Sequence, residues 1–313
     1  MDPQSQENAR FGFATYKNYL LAISYLLDDY GSIRSKLKDV QQKQNLDLLK
    51  IKSLLMNSWN SELLLNFPSL FNEDFLKFSN HWSPVQSYYA IYLACRALIV
   101  AKSFQAKGDH ATTLEIIVSN FIQMEKLFPY PWNILFDARG YKNTPNGITP
   151  TTTNPLENPY HFRNDQNKLC SSFRMFLKTT FERIIEEKCS EWKEKRPIKN
   201  RARKRLSPGI RQEIADKQRG VSIFDCFYRL RIRSNYKDVD IFILGSSAPE
   251  TTKYFKSLCN ITDKTLFIIE NYLLKYIGKQ RMEQIIDEYE SADNLGIINQ
   301  LEFSAVKRRQ YYD

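Results

Sequence analysis

Three features of the sequence predict an all-α fold. Apolar residues recur three and four apart through most of the 313 residues, the spacing that gathers them on one face of a helix. Glycine and proline are sparse, at 10 and 12, too few for the many tight turns of a β-sandwich. No stretch alternates apolar and polar residues convincingly enough to read as a half-buried strand, and no internal repeat is visible.

Taken in order, Phe13, Tyr16, Leu20, Ile23 and Leu27 make the stripe of a first helix that should stop near Gly31. A second is predicted from about Ser32, carrying Ile33, Leu37, Val40, Leu48, Ile51 and Leu55, with Lys36, Lys38 and Lys43 toward solvent. Residues 60–80 are irregular and aromatic, suited to a short helix laid over the core. Ser83 can then cap a helix whose first turn accepts Pro84, where a missing N–H costs nothing. That helix is apolar nearly all round, which makes it the central, buried one. Asp109-His110-Ala111-Thr112 opens another, with Thr112 and Glu115 at capping-box spacing and Leu114, Ile117, Phe121 and Met124 inward. Six of the twelve prolines fall in 129–159, with Gly140 and Gly147, so this is a long irregular excursion. A helix resumes near Asn167 with Leu169, Phe173, Phe176, Thr180 and Ile184 inward, and another runs from Ser222 to about Arg233. After a break at 245–249 comes the cleanest stripe, Tyr254, Leu258, Ile261, Thr265, Ile268, Tyr272 and Tyr276, which Gly278 is placed to end. One or two amphipathic helices follow, closing in the basic, aromatic run Lys307-Arg308-Arg309-Gln310-Tyr311-Tyr312. The expected organisation is an N-terminal helical extension (1–80), a helical core (81–278) interrupted by an insertion at about 129–220, and a C-terminal helical tail (279–313).

With 42% apolar and 13% aromatic residues the chain has ample material for a core and is not generally disordered. A polar N-terminus reads as no secretory signal, and the longest apolar stretch, from Tyr88 to Ala101, is broken by Arg96 and too short for a bilayer. A cytoplasmic protein without membrane contact is expected. The five cysteines are dispersed with no Cys-x-x-Cys pair, which suits small buried hydrophobes in a reducing compartment. His81, His110 and His161 are not spaced as metal ligands, so neither a metal nor any other cofactor is expected. A glycine-rich phosphate loop, a nucleophile elbow and an H-E-x-x-H pair are all missing, which removes the common NTPase, α/β-hydrolase and zincin classes.

The formal charge is +10, and residues 193–205 alone hold eight basic side chains and one acid. Lys193, Lys195, Arg196, Lys199, Arg201, Arg203, Lys204 and Arg205 form this run, and Arg229 and Arg233, four apart on one helical face, extend it toward Arg231. Such clustering favours a polyanion, RNA above other nucleic acids, over a passive solvated linker. Trp192 before the run and Tyr311-Tyr312 after Lys307–Arg309 are spaced like stacking platforms for unpaired bases, although a tryptophan placed like Trp192 more often packs the end of its helix.

The block Ser87-Tyr88-Tyr89-Ala90-Ile91-Tyr92-Leu93-Ala94-Cys95-Arg96-Ala97-Leu98 resembles the central helix of small HEPN-superfamily proteins, and Leu230-Arg231-Ile232-Arg233-Ser234-Asn235-Tyr236 resembles their second block. The resemblance covers roughly 85–127 and 221–278. It implies a compact HEPN-like helical bundle, often a homodimer, of a class that includes metal-independent endoribonucleases of toxin–antitoxin and antiphage systems, with a cognate antitoxin or defence-system subunit as partner. In that family an arginine followed after four to six residues by a histidine forms the active site, the cation answering charge on phosphorus and the imidazole moving the 2′-hydroxyl proton. Here the pattern departs, because the position counted from Arg231 is Tyr236, a phenol that donates better than it accepts a proton. His110, just before a helix, is where some members place a histidine. The resemblance therefore implies a site of Arg231, Tyr236 and His110. Three functions stay open: an RNA-associated ribonuclease effector, a catalytically inactive HEPN-like subunit that binds nucleic acid or a partner protein, or a purely protein-binding scaffold with the N-terminal helices as its best support.

Overall fold

The computed structural model describes residues 3–104, 108–149, 151–195 and 206–312. The protein is all-α, 71% helical with one two-stranded sheet. Among the described residues no helix is long and apolar enough to cross a membrane.

The N-terminal region breaks where side chains cap rather than where periodicity fades. α1 (Pro3–Leu26) ends short of Gly31, and Asp29 accepts from the Ser32 N–H at 2.8 Å to start α2 (Tyr30–Ser35). The single helix predicted from Ser32 is in fact two. Residues 41–45 are Gln-Gln-Lys-Gln-Asn, with nothing apolar to hold a face against the core, and Asn45 turns left-handed at φ 58°. The chain crosses the end of the bundle there, the Lys43 N–H donating to the Tyr276 carbonyl at 3.0 Å, before Asp47 caps α3 (Leu48–Asn66). Residues 67–82 hold the short helix α4 (Glu73–Ser79), which packs on the core through Leu76 while Phe71, Phe75 and Phe78 stay exposed.

α5 (Ser83–Ala101) is the buried central helix that its apolar circumference predicts, with Pro84 in its first turn. It packs between α3 and the 30-residue α11 (Ala248–Ile277), which Gly278 ends at φ 90°. α6 (His110–Ile116) is capped by Asp109 rather than Thr112, and widens into π-helical turns over Ile117–Met124. The excursion at 129–159 contains what periodicity could not reveal, an antiparallel hairpin of β1 (Leu135–Asp137) and β2 (Gly140–Lys142). Strands of three residues are too short to display alternation. Phe136 exchanges both backbone hydrogen bonds with Val221, fastening the hairpin two residues ahead of α9 (Ile223–Ile232). Between them lie α7 (Gln166–Glu194) and α8 (Pro208–Asp216). α1 packs on α7, on α11 and on α10 (Val239–Leu244), and this last approach requires glycine. A Cβ on Gly245 would lie 2.4 Å from the carbonyl oxygens of Ala9 and Ile241.

After α12 (Lys279–Ser291) and α13 (Ile297–Gln300), α14 (Ala305–Arg308) turns back into the core. Arg308 is fully buried. Its Nε and Nη2 each donate to Glu270 at 2.7 Å, its Nη1 to Asp263 at 2.9 Å, and its two Nη groups fork onto Glu62. Trp59 and Tyr312 donate to Glu270, and Tyr30 to Asp263. The expectation of a basic, aromatic stacking surface at 307–312 is therefore corrected for Arg308 and Tyr312, whose hydrogen-bonding groups are consumed inside the bundle.

One guanidinium against three carboxylates leaves a surplus of negative charge, and burial pushes the Glu62 carboxyl up to about 7 and that of Asp263 upward. Removing the cation strands buried acids, so Arg308→Met should cost about 3–5 kcal/mol in urea unfolding. Because Glu62 is raised on folding, its stabilising contribution is complete below its ordinary value near 4.5 and is lost as pH rises through about 7. Unfolding curves between about pH 5 and pH 8 should show that loss in the wild type and its absence in Glu62→Gln; parallel profiles would exclude Glu62 as the titrating group.

Candidate functional site

α9 opens with a reciprocal capping box, the Asp225 carboxylate accepting from the Ser222 N–H at 2.8 Å. Arg219 braces the same carboxylate through two bonds, at 3.1 and 2.7 Å, and reaches Glu115 of α6 at 3.1 Å. With its start fixed, α9 presents Tyr228 and Arg231, three apart, toward α5. There Tyr88, Tyr89 and Tyr92 interrupt the apolar surface.

Arg231 sits among these rings, 9% exposed. Its Nη2 donates to the Tyr89 hydroxyl at 3.0 Å, and its Cζ lies 5.1 Å from the Tyr89 ring centre, 5.5 Å from Tyr88 and 5.8 Å from Tyr228. These are cation–π distances. Among the described residues no carboxylate pairs with it, and its buried Nε has no hydrogen-bond partner. The side chain is thus a desolvated cation answered by aromatic faces and one phenol hydroxyl, which leaves its charge largely unneutralised.

His110 belongs to the same cluster. Its Nδ1 lies 2.8 Å from the Tyr88 hydroxyl, and its ring centre lies 4.6 Å from that of Tyr92 and 5.6 Å from that of Tyr228. The pKa of His110 is lowered, first by burial and then by the charge of Arg231, with Arg96 adding to the effect and Asp109 opposing it. The imidazole is accordingly neutral at pH 7 and able to take a proton. Burial holds the Tyr88 phenol well above its ordinary value, so its hydroxyl stays protonated.

Of the three residues implied for catalysis, Arg231 and His110 come together through Tyr88. Tyr236 does not join them. It lies on the π turn Arg233–Lys237 and is 67% exposed, with no described contact to Arg231. Arg229 and Arg233 do share a face, but both turn inward over the Tyr16 ring. Arg229 donates to the hydroxyls of Thr179 and Thr180 at 2.9 and 3.1 Å, and Arg233 pairs with Asp238. Lys193 and Lys195 stand at the end of α7; Arg196, Lys199, Arg201, Arg203, Lys204 and Arg205 lie outside the described residues. The ring cluster itself was not anticipated, although three tyrosines on an otherwise apolar helix, at 88, 89 and 92, were a visible signal.

Among the described residues no group of three or more His, Cys, Asp or Glu side chains is arranged to hold a metal ion. All five cysteines are buried, and burial pushes the Cys95, Cys170, Cys226 and Cys259 thiols up, away from nucleophilic thiolates. No family model matches the chain, and no curated protein and no solved structure matches it either.

The charge of Arg231 is felt at His110, so Arg231→Gln should raise the imidazole pKa toward its ordinary value near 6.5. NMR titration of the ring protons reads this directly, and an unchanged midpoint would mean that the two groups are not electrostatically coupled.

Proposed function

We propose that this chain is a HEPN-like, RNA-associated protein whose Arg231–His110 cluster engages a phosphodiester and is arranged for metal-independent cleavage. The observation that carries this reading is a buried guanidinium with tyrosine faces in place of a carboxylate, beside an imidazole held neutral. Arg231 meets the charge that gathers on the pentavalent phosphorus. With Nδ1–H donating to the Tyr88 oxygen, Nε2 of His110 has a free lone pair and accepts the 2′-hydroxyl proton. The 2′-oxygen then bonds to phosphorus, the bond from phosphorus to the 5′-oxygen breaks, and that oxygen takes up a proton from solvent. The products are a 2′,3′-cyclic phosphate and a 5′-hydroxyl. The net charge of +10 favours encounter with a polyanion. A cytoplasmic setting in toxin or antiphage defence, with a second copy or a cognate subunit as partner, belongs to the same proposal through the HEPN resemblance.

The Tyr88–His110 contact also supports a second reading. If Tyr88 donates to Nδ1, the imidazole proton resides on Nε2, no base is present, and the chain is an inactive RNA-binding subunit.

Incubation with labelled RNAs, with and without EDTA, separates these outcomes. The first reading expects EDTA-insensitive cleavage to cyclic-phosphate ends, lost in Arg231→Ala and slowed by about 10²- to 10⁴-fold in His110→Ala. The rate should rise with pH through the lowered pKa of His110 and stay level above it. Retention of RNA without cleavage selects the second reading. RNA retention that is indifferent to Arg231 would remove both.

A further inference from the structure

Next to the ring cluster, α6, α7 and α9 enclose a cavity of about 380 Å³. Its volume falls in the range of small-molecule sites. Leu114, Ile184, Val221 and Ile232 give it apolar walls, and Tyr228 stands both in that wall and in the cluster, 5.8 Å from the Arg231 guanidinium carbon and 5.6 Å from the His110 ring. Ala111, directly after His110, also lines it.

The charges at this cavity are largely answered. Arg219 is spent on Asp225 and Glu115, and Lys217 on Glu213. Arg183 pairs with Glu187 and Lys188 with Glu191, while Arg229 donates to two threonine hydroxyls and keeps a buried Nε–H that has no hydrogen-bond partner. A second phosphate would find these cations already engaged by carboxylates or hydroxyls, with one buried Nε–H of Arg229 left over. A flat heteroaromatic ring does find complementary surroundings, with apolar side chains and a tyrosine ring for its body. The Gln218 amide and the Arg229 guanidinium in the wall suit its polar edge.

We propose that this cavity is a nucleobase pocket, receiving a splayed base of the nucleotide whose phosphate meets Arg231; the assignment rests on the RNA reading of the cluster. Single-stranded RNA is read in this way, by unstacked bases lodged against aromatic and apolar side chains. The pocket would supply base preference, and Arg231 affinity common to all bases.

Binding of 5′-AMP, 5′-GMP, 5′-CMP, 5′-UMP and ribose 5-phosphate to the full chain, alongside single-stranded RNA, tests the assignment. At least one nucleotide should bind about tenfold more tightly than ribose 5-phosphate. Arg231→Ala should weaken all five. Ile184→Trp and Ile232→Phe, each checked for a wild-type melting temperature, should reduce the favoured nucleotide to the ribose 5-phosphate level. If one of these variants fails to fold, the other and the wild-type comparison still decide. Arg231-dependent RNA binding with no advantage of any nucleotide over ribose 5-phosphate overturns the base pocket and leaves the phosphodiester site standing. An advantage that survives both folded variants likewise places the base elsewhere. Absence of Arg231-dependent binding of either RNA or phosphate overturns the cluster reading and the pocket together.

Discussion

The bundle closes around one buried guanidinium. Arg308 draws together Glu62 from α3 and Asp263 and Glu270 from α11, while Trp59, Tyr30 and Tyr312 fill the remaining acceptor positions. Three acids in a place without water repel one another strongly. Neither helix can bring them this close unless the cation sits between them or protons neutralise them. α5 is sandwiched by the same two helices, so the position of Tyr88 and Tyr89 follows from this closure. The ring cluster around Arg231 is in that sense built on the Arg308 cluster, although the two do not touch.

The two buried arginines solve one physical problem in opposite ways. Arg308 is over-answered by full carboxylates, which fixes it in place and uses every donor. Arg231 is answered only by ring quadrupoles and one phenol. A quadrupole offsets part of the cost of desolvating a cation but leaves most of its field unneutralised, and that field adds to burial in lowering the pKa of His110. Both side chains are buried, so exposure does not tell them apart; the kind of partner does.

Much of the fold was legible because long helices repeat their signal. The stripe from Tyr254 to Tyr276 is buried throughout and ends at Gly278 as its spacing implies. The second helix was misread because Val40 and Leu48 happen to continue the phase of Ile33 and Leu37 across a polar stretch that periodicity does not penalise. The site was legible only in part. Arg231 and His110 could be named from short motifs, but counting from Arg231 to Tyr236 assumes regular turns, and the π turn at Arg233–Lys237 carries Tyr236 to solvent. Arg308 read as one of several solvated cations. The acids within the apolar faces of α3 and α11 signalled that some cation was required, yet their partner lies 38 residues from Glu270 and 246 from Glu62, a distance over which local pattern is silent.

The position of Arg308 late in the chain has a consequence for biosynthesis. Residues 62, 263 and 270 are all synthesised before residue 308. Throughout that interval the nascent helices carry three acids without the guanidinium that sits among them in the folded chain, so their approach depends on protonation or on solvent. The closure seen here, with α5 between those two helices, is completed only when the last short helix is made. A ribosome-bound chain that has not reached Arg308 therefore lacks the guanidinium around which the bundle closes.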